Sequence, residues 1–375
     1  MIWKWVKRIL QGLGGILGLI GIVGVLFVNL SPEFGGSPTE GQIKRFQKTG
    51  HYKEGVFVNL QKTTMDLGLD SIFSLIDETM NGTSVKRPDF DIPVLKVTPS
   101  DLAKPTATRL IWFGHSAFLL QMDGKNILLD PMLGDVPAPN PFLGTTRFGR
   151  ELPIEIEKLP QIDAIIISHD HYDHLDYGSI EKLKSKTKMF FVPLGVGAHF
   201  KSWGVDSTQI VEMDWWETMF LDSLQISFAP SRHFSGRGLT DRNTTLWGSW
   251  IIKGVEDNIY FSGDGGYGPH FKEIGEQFGP FDLAMMECGQ YNTKWSQIHM
   301  MPEQTAQAGR DVKAKLIMPI HWGAFTLAFH SWTDPVERIL RKSKELNLPI
   351  ITPKIGEEIY LHPESNAYHS KWWLK

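Results

Sequence analysis

His169-Asp170-His171-Tyr172-Asp173-His174 is the stretch whose reading decides the fold. The apolar, β-branched-rich run Ile162 to Ser168 before it reads as a buried strand, and the segment from Asp176 onward reads as a capped helix. The six residues therefore occupy a strand-to-helix loop. Three imidazoles and two carboxylates in six positions have little use in a hydrophobic core and suit a transition metal. Side chains two apart on an extended segment point the same way, so His169 and His171 pair, while Asp173 and His174 leave the following turn in another direction. One loop can thus serve two metal ions, yet neither pair completes a coordination shell. The reading requires further ligands downstream, each at the end of a strand.

Three such positions exist. His233 follows the strand Leu224 to Ala229, Asp264 follows Ile259 to Ser262, and His321 follows Leu316 to Pro319. Around them the chain from Arg109 alternates short strands with Gly, Asp and Asn turns. Arg109 to Phe113 and Ala117 to Met122 are joined through Gly114-His115-Ser116, and Asp123-Gly124 turns the chain into Asn126 to Leu129. A helix to about Lys186, the strand Met189 to Val192, a run of hairpin-like strands over Met219 to Ala229, Ser249 to Ile252 and Ile259 to Ser262, then Leu283 to Met286, helices from Pro302 and through Glu337 to Leu346, and a strand near Glu358 to Leu361 complete the pattern. Two β-rich halves with interposed helices predict an α/β sandwich.

Composition narrows the partners. A formal net charge of −4 and the lack of a long basic run disfavour nucleic acid. Cys288 is the only cysteine, which excludes an intramolecular disulfide and a cysteine-rich zinc site, so any metal is held by His and carboxylate. Cys288 itself reads as a small buried apolar residue.

From Ile9 to Leu30 no residue is charged, and at ~1.5 Å per residue the run spans about 33 Å, one hydrocarbon core. It reads as an uncleaved transmembrane anchor; a cleaved signal peptide is the competing reading. Lys4, Lys7 and Arg8 precede it, which by the positive-inside rule puts the body outside the cytoplasm. Gly14, Gly18 and Gly21 form a small-residue face that would suit a homodimer. Residues 31–105 read as a linker and N-terminal arm, with helical candidates at Glu40 to Lys48 and Asp70 to Met80 and a proline-rich extended segment Lys86 to Pro105. Residues 106–375 are left for the catalytic domain.

The ordered set of His169, His171, Asp173 and His174, then His233, Asp264 and His321, resembles the H-x-H-x-D-H motif and later ligands of the metallo-β-lactamase superfamily. Its fold, an αβ/βα sandwich with a two-metal site at one edge of the sheets, is what the resemblance implies. Gly114-His115-Ser116, Leu128 to Pro131, His169 to Asp176, Phe261 to Tyr267, Pro319 to Gly323 and the Phe34-Gly35-Gly36 stretch are similar to the branch containing N-acylphosphatidylethanolamine-hydrolysing phospholipase D and its bacterial relatives. Ascorbate-lactonase-like proteins share much of this pattern. By the resemblance, His169, His171 and His233 bind one zinc, Asp173, His174 and His321 the other, and Asp264 bridges both, with manganese or iron the alternative in the carboxylate-bearing site. Two cations sharing a water lower its pKa from ~15.7 towards about 7, which suits hydrolysis of phosphodiesters, lactones or amides.

Asp130 is the candidate carboxylate behind a ligating imidazole, against the alternative of a plain turn residue before Pro131. His115, His299 and His330 are candidates to bind phosphate or protonate a leaving group, against the alternative of pocket or surface histidines with no part in turnover. Trp215-Trp216, Phe325 to Phe329 and Trp372-Trp373 read as core packing first and an acyl groove second. The expected activity is a zinc-dependent phosphodiesterase of phospholipase D type on N-acylethanolamine phospholipids or related glycerophosphodiesters. A lactonase or other hydrolase on the same site is the second reading, and a noncatalytic metal-binding envelope protein the third.

Overall fold

A computed structural model describes residues 2–66, 68–103, 107–361 and 370–374. Lys104 and Pro105, the end of the segment read as extended, lie outside the described residues. Helix α1 (Ile2–Leu30) is long and apolar enough from Trp3 onward to cross a membrane, and none of it is buried against the protein. The arm holds α2 (Glu40–Phe46), the hairpin β1 (Tyr52–Lys53) and β2 (Val56–Phe57), and α3 (Leu69–Asn81). Thr39 and Gln42 cap α2 reciprocally, satisfying two of the first-turn N–H groups.

The body contains thirteen strands among the described residues, divided between two sheets. The first half of the chain gives β3 (Arg109–Trp112), β4 (Phe118–Met122), β5 (Lys125–Leu129), β6 (Ile162–Ile166), β7 (Thr187–Pro193) and β8 (Ile210–Met213). The second gives β9 (Thr218–Leu221), β10 (Leu224–Ala229), β11 (Ser249–Lys253), β12 (Asn258–Phe261), β13 (Leu283–Glu287), β14 (Ile317–Ile320) and β15 (Glu358–Tyr360). One sheet runs β15-β3-β4-β5-β6-β7-β8 and the other β14-β13-β12-β11-β10-β9. Each begins as an antiparallel meander and continues as parallel strands, from β5 to β8 in the first and β12 to β14 in the second. The run of hairpin-like strands expected from Met219 begins as a hairpin: Asp222 turns the chain with φ 52° between β9 and β10.

Period-two alternation sorts the side chains into layers. Leu110 and Trp112 face the second sheet, where Phe228, Trp250 and Phe261 meet them, while Ile111 and Phe113 face outward. The outer face of the first sheet is covered by α4 (Tyr177–Leu183) and α5 (Gly197–Ser202) through Ile180, Leu183 and Phe200. The second is covered by α6 (His270–Gln277), α7 (Pro302–Asp311) and α8 (Asp334–Leu346) through Ile274, Ala308 and Ile339. The result is an α/β/β/α sandwich of the expected class, and the aromatic pairs join its core: Trp215 stacks on His51 at 4.3 Å, and Trp372 stacks on Trp322 at 5.2 Å.

His270, at the start of α6, gives this core an acid dependence. Burial, helped by the Arg232 charge, pushes its imidazole down to about 3. Below an ordinary pKa of ~6.5 the unfolded chain takes up a proton that the folded chain refuses. The stabilisation is therefore complete above that value and falls by ~1.4 kcal/mol per pH unit on acidification, or about 2 kcal/mol by pH 5. His270→Gln is expected to reduce the difference in urea stability between pH 7 and pH 5 by about that amount; an unchanged difference would refute the assignment.

Candidate metal centre

The seven residues of the sequence motif leave strand ends of both sheets and meet at one edge of the sandwich. After β6, Ile167 donates to Phe191 O and Ser168 to Asp130, which fixes where His169 starts. A turn closed by the His174 and Leu175 amides on His171 O then folds the loop back, and Asp176 caps α4 by accepting from Ser179 N. His233 follows β10, Asp264 follows β12 and His321 follows β14. The loops of His115 and His321 are joined by two backbone hydrogen bonds, His321 N to His115 O (3.0 Å) and His115 N to Trp322 O (3.2 Å). Both histidines have left-handed backbone, with φ 55° and 67°, a conformation that costs a non-glycine residue energy and is held by this pairing. Gly289 makes room for it, since a Cβ there would lie 1.8 Å from His321 O.

The geometry falls into two groups around one carboxylate. His171 Nδ1 lies 2.9 Å from His169 Nε2 and 3.2 Å from His233 Nε2. Asp173 Oδ2 lies 2.9 Å from His115 Nε2, 3.6 Å from His174 Nε2 and 3.8 Å from His321 Nε2. Asp264 stands between the groups: Oδ2 is 3.2 Å from His174 Nε2 and 3.8 Å from His169 Nε2, and Oδ1 is 3.2 Å from His321 Nδ1. These residues fall into clusters whose donor atoms lie within 4.8 Å of one another.

The donor chemistry fits a cation. His233 Nδ1 faces the Ile298 carbonyl at 2.9 Å, so it carries the proton and Nε2 presents a lone pair to His171. His174 Nδ1 faces Asp130 Oδ2 at 2.7 Å and its Nε2 faces Asp264 Oδ2 at 3.2 Å; burial pushes this imidazole down, but the carboxylates of Asp264, Asp173 and Asp130 outweigh it and hold it well above its ordinary pKa, so a positive charge is favoured here. Lone pairs aimed at one another repel unless a positive charge lies between them. Burial drives the imidazoles of His169, His233 and His321 far below their ordinary pKa and His171 down to about 4, so they stand in the neutral, ligating form. Burial pushes the Asp264 carboxyl up to about 6. At Asp173 burial acts in the same direction, but the neighbouring His174 and His115 outweigh it and hold the carboxyl well below the usual range.

Asp130 takes the supporting place expected of it. Its carboxylate accepts from Ser168 N at 2.7 Å and Ser168 Oγ at 2.5 Å and meets His174 Nδ1, all without solvent exposure. Asp130→Asn preserves shape and tolerates the φ of 37° but loses the charge that orients His174. Zinc affinity is expected to drop by about 10–100-fold, read by chelator competition, with the thermal midpoint of the metal-free protein little changed; equal affinity would remove Asp130 from the support.

The three other histidines separate. His299 lines a cleft of about 220 Å³ together with Asp173, Asp264 and His321, and its ring stacks on His321 at 5.3 Å. Its Nδ1 lies 3.2 Å from Oε1 of Glu287, a fully buried carboxyl whose other oxygen accepts from Met300 N. Glu287 was not singled out from the sequence, because an acidic residue ending an apolar strand carries no signal of its partner twelve positions on. His115 is wholly buried behind Asp173, outside the cleft wall, so the expectation that it touches substrate gives way to a role holding Asp173. His330 stacks on Tyr291 at 4.3 Å and lines a different, smaller cavity. His171 and Gln290 also line the cleft, and its apolar wall is made by Met65, Phe234, Trp295, Ile298 and Leu327.

Comparison with known proteins agrees with this architecture. Residues 125–322, just over half the chain, match the β-lactamase superfamily domain. An uncharacterised protein of Mycobacterium tuberculosis is 40% identical over 87% of this chain and 88% of its own length. The N-acyl-phosphatidylethanolamine-hydrolyzing phospholipase D 1 of Caenorhabditis elegans is 32% identical over 77% of this chain and 87% of its own. In fold, the chain is similar to the metallo hydrolase Igni18 of Ignicoccus hospitalis, with TM-score 0.52 and 21% identity over 69% of this chain and all of that one. The chain belongs to the metallo-β-lactamase superfamily and is a metal-dependent hydrolase of that fold.

Proposed function

We propose that the chain is a binuclear zinc phosphodiesterase of phospholipase D type, anchored by α1 and acting on N-acylethanolamine phospholipids or related glycerophosphodiesters. His169, His171 and His233 would hold one ion, Asp173, His174 and His321 the other, with Asp264 shared. The ions, when bound, supply Lewis acidity and a water acidified to near neutrality. The chain's own groups do the rest. Asp130 and the Ile298 carbonyl keep His174 and His233 in the tautomer that offers Nε2. His115 holds Asp173 in place, and Glu287 occupies Nδ1 of His299, leaving the ring's other nitrogen for a phosphoryl or leaving-group oxygen in the cleft.

The observation that carries the substrate class is the apolar wall of Met65, Phe234, Trp295, Ile298 and Leu327 directly beside the polar cluster. A phosphodiester flanked by hydrocarbon matches a cleft with one wet and one apolar side. The N-acylphosphatidylethanolamine-hydrolysing relative and the candidate membrane helix support the same choice. The test is the zinc-loaded full chain in detergent, offered mixed micelles of N-acylphosphatidylethanolamine. Release of phosphatidic acid and N-acylethanolamine is expected. A protein that binds zinc but cleaves lactones and no phosphodiester would overturn the reading in favour of a lactonase.

A further inference from the structure

We propose that Pro32 to Gly36, the segment that leaves α1, is a positioning strap that completes the support of the His169–His174 loop. The inference rests on the metal-centre reading and not on the choice of substrate. Three backbone groups of the strap are taken up by side chains of the body. Trp203 Nε1 donates to Pro32 O at 2.7 Å, Arg237 Nε donates to Glu33 O at 2.8 Å, and Gly36 N donates to His199 Nδ1 at 3.1 Å. Phe34 lays its ring edge-on to Tyr172, 6.4 Å between centroids.

Two of those partners hold the loop with their remaining atoms. Arg237 Nη1 donates to Asp170 O at 2.6 Å and to Leu175 O at 2.8 Å, so one guanidinium ties the two ends of the loop to the strap. The same guanidinium lies 4.1 Å above the Tyr172 ring. His199 accepts at Nδ1 from the strap, which places its proton on Nε2, 3.3 Å from Asp170 Oδ2. Asp170 also accepts from Gly236 N and Thr245 Oγ1, and it sits between His169 and His171 in the chain. The strap thus selects the histidine tautomer that can donate to Asp170, a role of the kind that outer groups have at metal sites.

The paired glycines follow from the close approach. Gly35 has φ 76°, and a Cβ there would lie 2.1 Å from His199 Nδ1; at Gly36 it would lie 2.6 Å from Ala198 O. On the anchor reading there is a spatial consequence. Glu33 is three residues beyond Leu30, and an extended chain covers at most ~3.6 Å per residue, so Arg237 stands within roughly 15 Å of the point where the apolar helix ends. The back of the metal loop is tied close to the membrane boundary.

The test uses the full chain in detergent with zinc as the probe. Gly35→Val and His199→Leu are expected to weaken zinc retention in chelator competition by about 10–100-fold and to raise deuterium uptake across residues 167–175. His199→Gln, whose amide keeps an acceptor for Gly36 and a donor for Asp170, is expected to retain zinc like the parent. Ile339→Val, a destabilising change in α8, serves as control and should lower the thermal midpoint without altering zinc retention. Retention in Gly35→Val and His199→Leu no worse than in this control overturns the strap. If the parent itself binds no zinc, the metal-centre reading fails, and unchanged deuterium uptake in Gly35→Val then overturns the strap independently.

Discussion

Asp264→Asn is expected to reduce turnover by about 10³-fold or more, since metal-ion stabilisation of a transition state is worth several kcal/mol and each ~1.4 kcal/mol is a decade. Among the described residues Asp264 is the one carboxylate within 4 Å of His169, His174, His233 and His321, so it is the group that both histidine sets share. An amide of the same shape cannot neutralise two cations, and its NH₂ would face a lone pair of His174 or His321. Zinc content per chain should fall with the activity. The same substitution separates function from folding. In the metal-free protein the Asp264 carboxyl is pushed up to about 6 by burial, above its ordinary value. A carboxyl whose folded pKa is raised gives the folded chain extra proton uptake between the two values, so its stability contribution declines as pH rises through that window and stays unfavourable above it. Between pH 4 and pH 7 the metal-free Asn variant should therefore lose less stability than the metal-free parent in urea unfolding. Undiminished turnover, or a metal-free variant whose stability falls as steeply with pH as its parent's, would sink the central place given to Asp264.

The fold and most of the centre were legible because both rest on local signals. Apolar β-branched runs closed by a His or Asp mark strand ends, and a metal site assembled at the edge of two sheets draws on strand ends. What escaped notice rests on contacts between distant segments. His199 reads as an ordinary histidine on a short helix, and only the fold brings Gly36 to it from 163 residues away. Glu287 ends β13 as an isolated acid, and its burial against His299 comes from the loop that follows. The position of His115 behind Asp173 depends on the backbone pairing with Trp322, which no spacing in the sequence encodes. The exact turn inside Met219 to Ala229 is only faintly marked. The apolar pattern runs through it, and the single cue, Asp222-Ser223, is weak beside the Asn-Gly and Asp-Gly pairs that announce such turns. Glu54-Gly55, with φ 52° and 87°, closes the small hairpin of the arm, and its glycine is a signal of the turn.

Trp250→Ala is expected to cost about 3–5 kcal/mol of stability, the range for truncating a buried aromatic side chain in a core that relaxes incompletely. Trp250 lies on β11, paired with Phe228 on one side and Phe261 on the other, and has no solvent exposure. Its ring meets Phe228 at 4.5 Å in the layer between the sheets. It also crosses that layer with a polar contact, for the indole N–H donates to Ile167 O at 2.9 Å, two residues before His169. Alanine therefore opens a cavity and strips a buried carbonyl of its donor in one step. Trp250→Phe divides the two effects: it keeps most of the packing and loses the hydrogen bond, so about 1–3 kcal/mol should remain of the loss. Zinc retention should survive in the Phe variant, because Ile167 N still donates to Phe191 O and Ser168 is still held by Asp130. Urea unfolding of the metal-free proteins, paired with chelator competition on the zinc-loaded ones, reads both quantities. If Trp250→Ala costs less than about 1 kcal/mol, the packing between the sheets is not what holds the fold. If Trp250→Phe sheds zinc while its stability is nearly intact, the indole supports the metal loop directly, and the strand-end anchoring by Phe191 and Asp130 is insufficient alone.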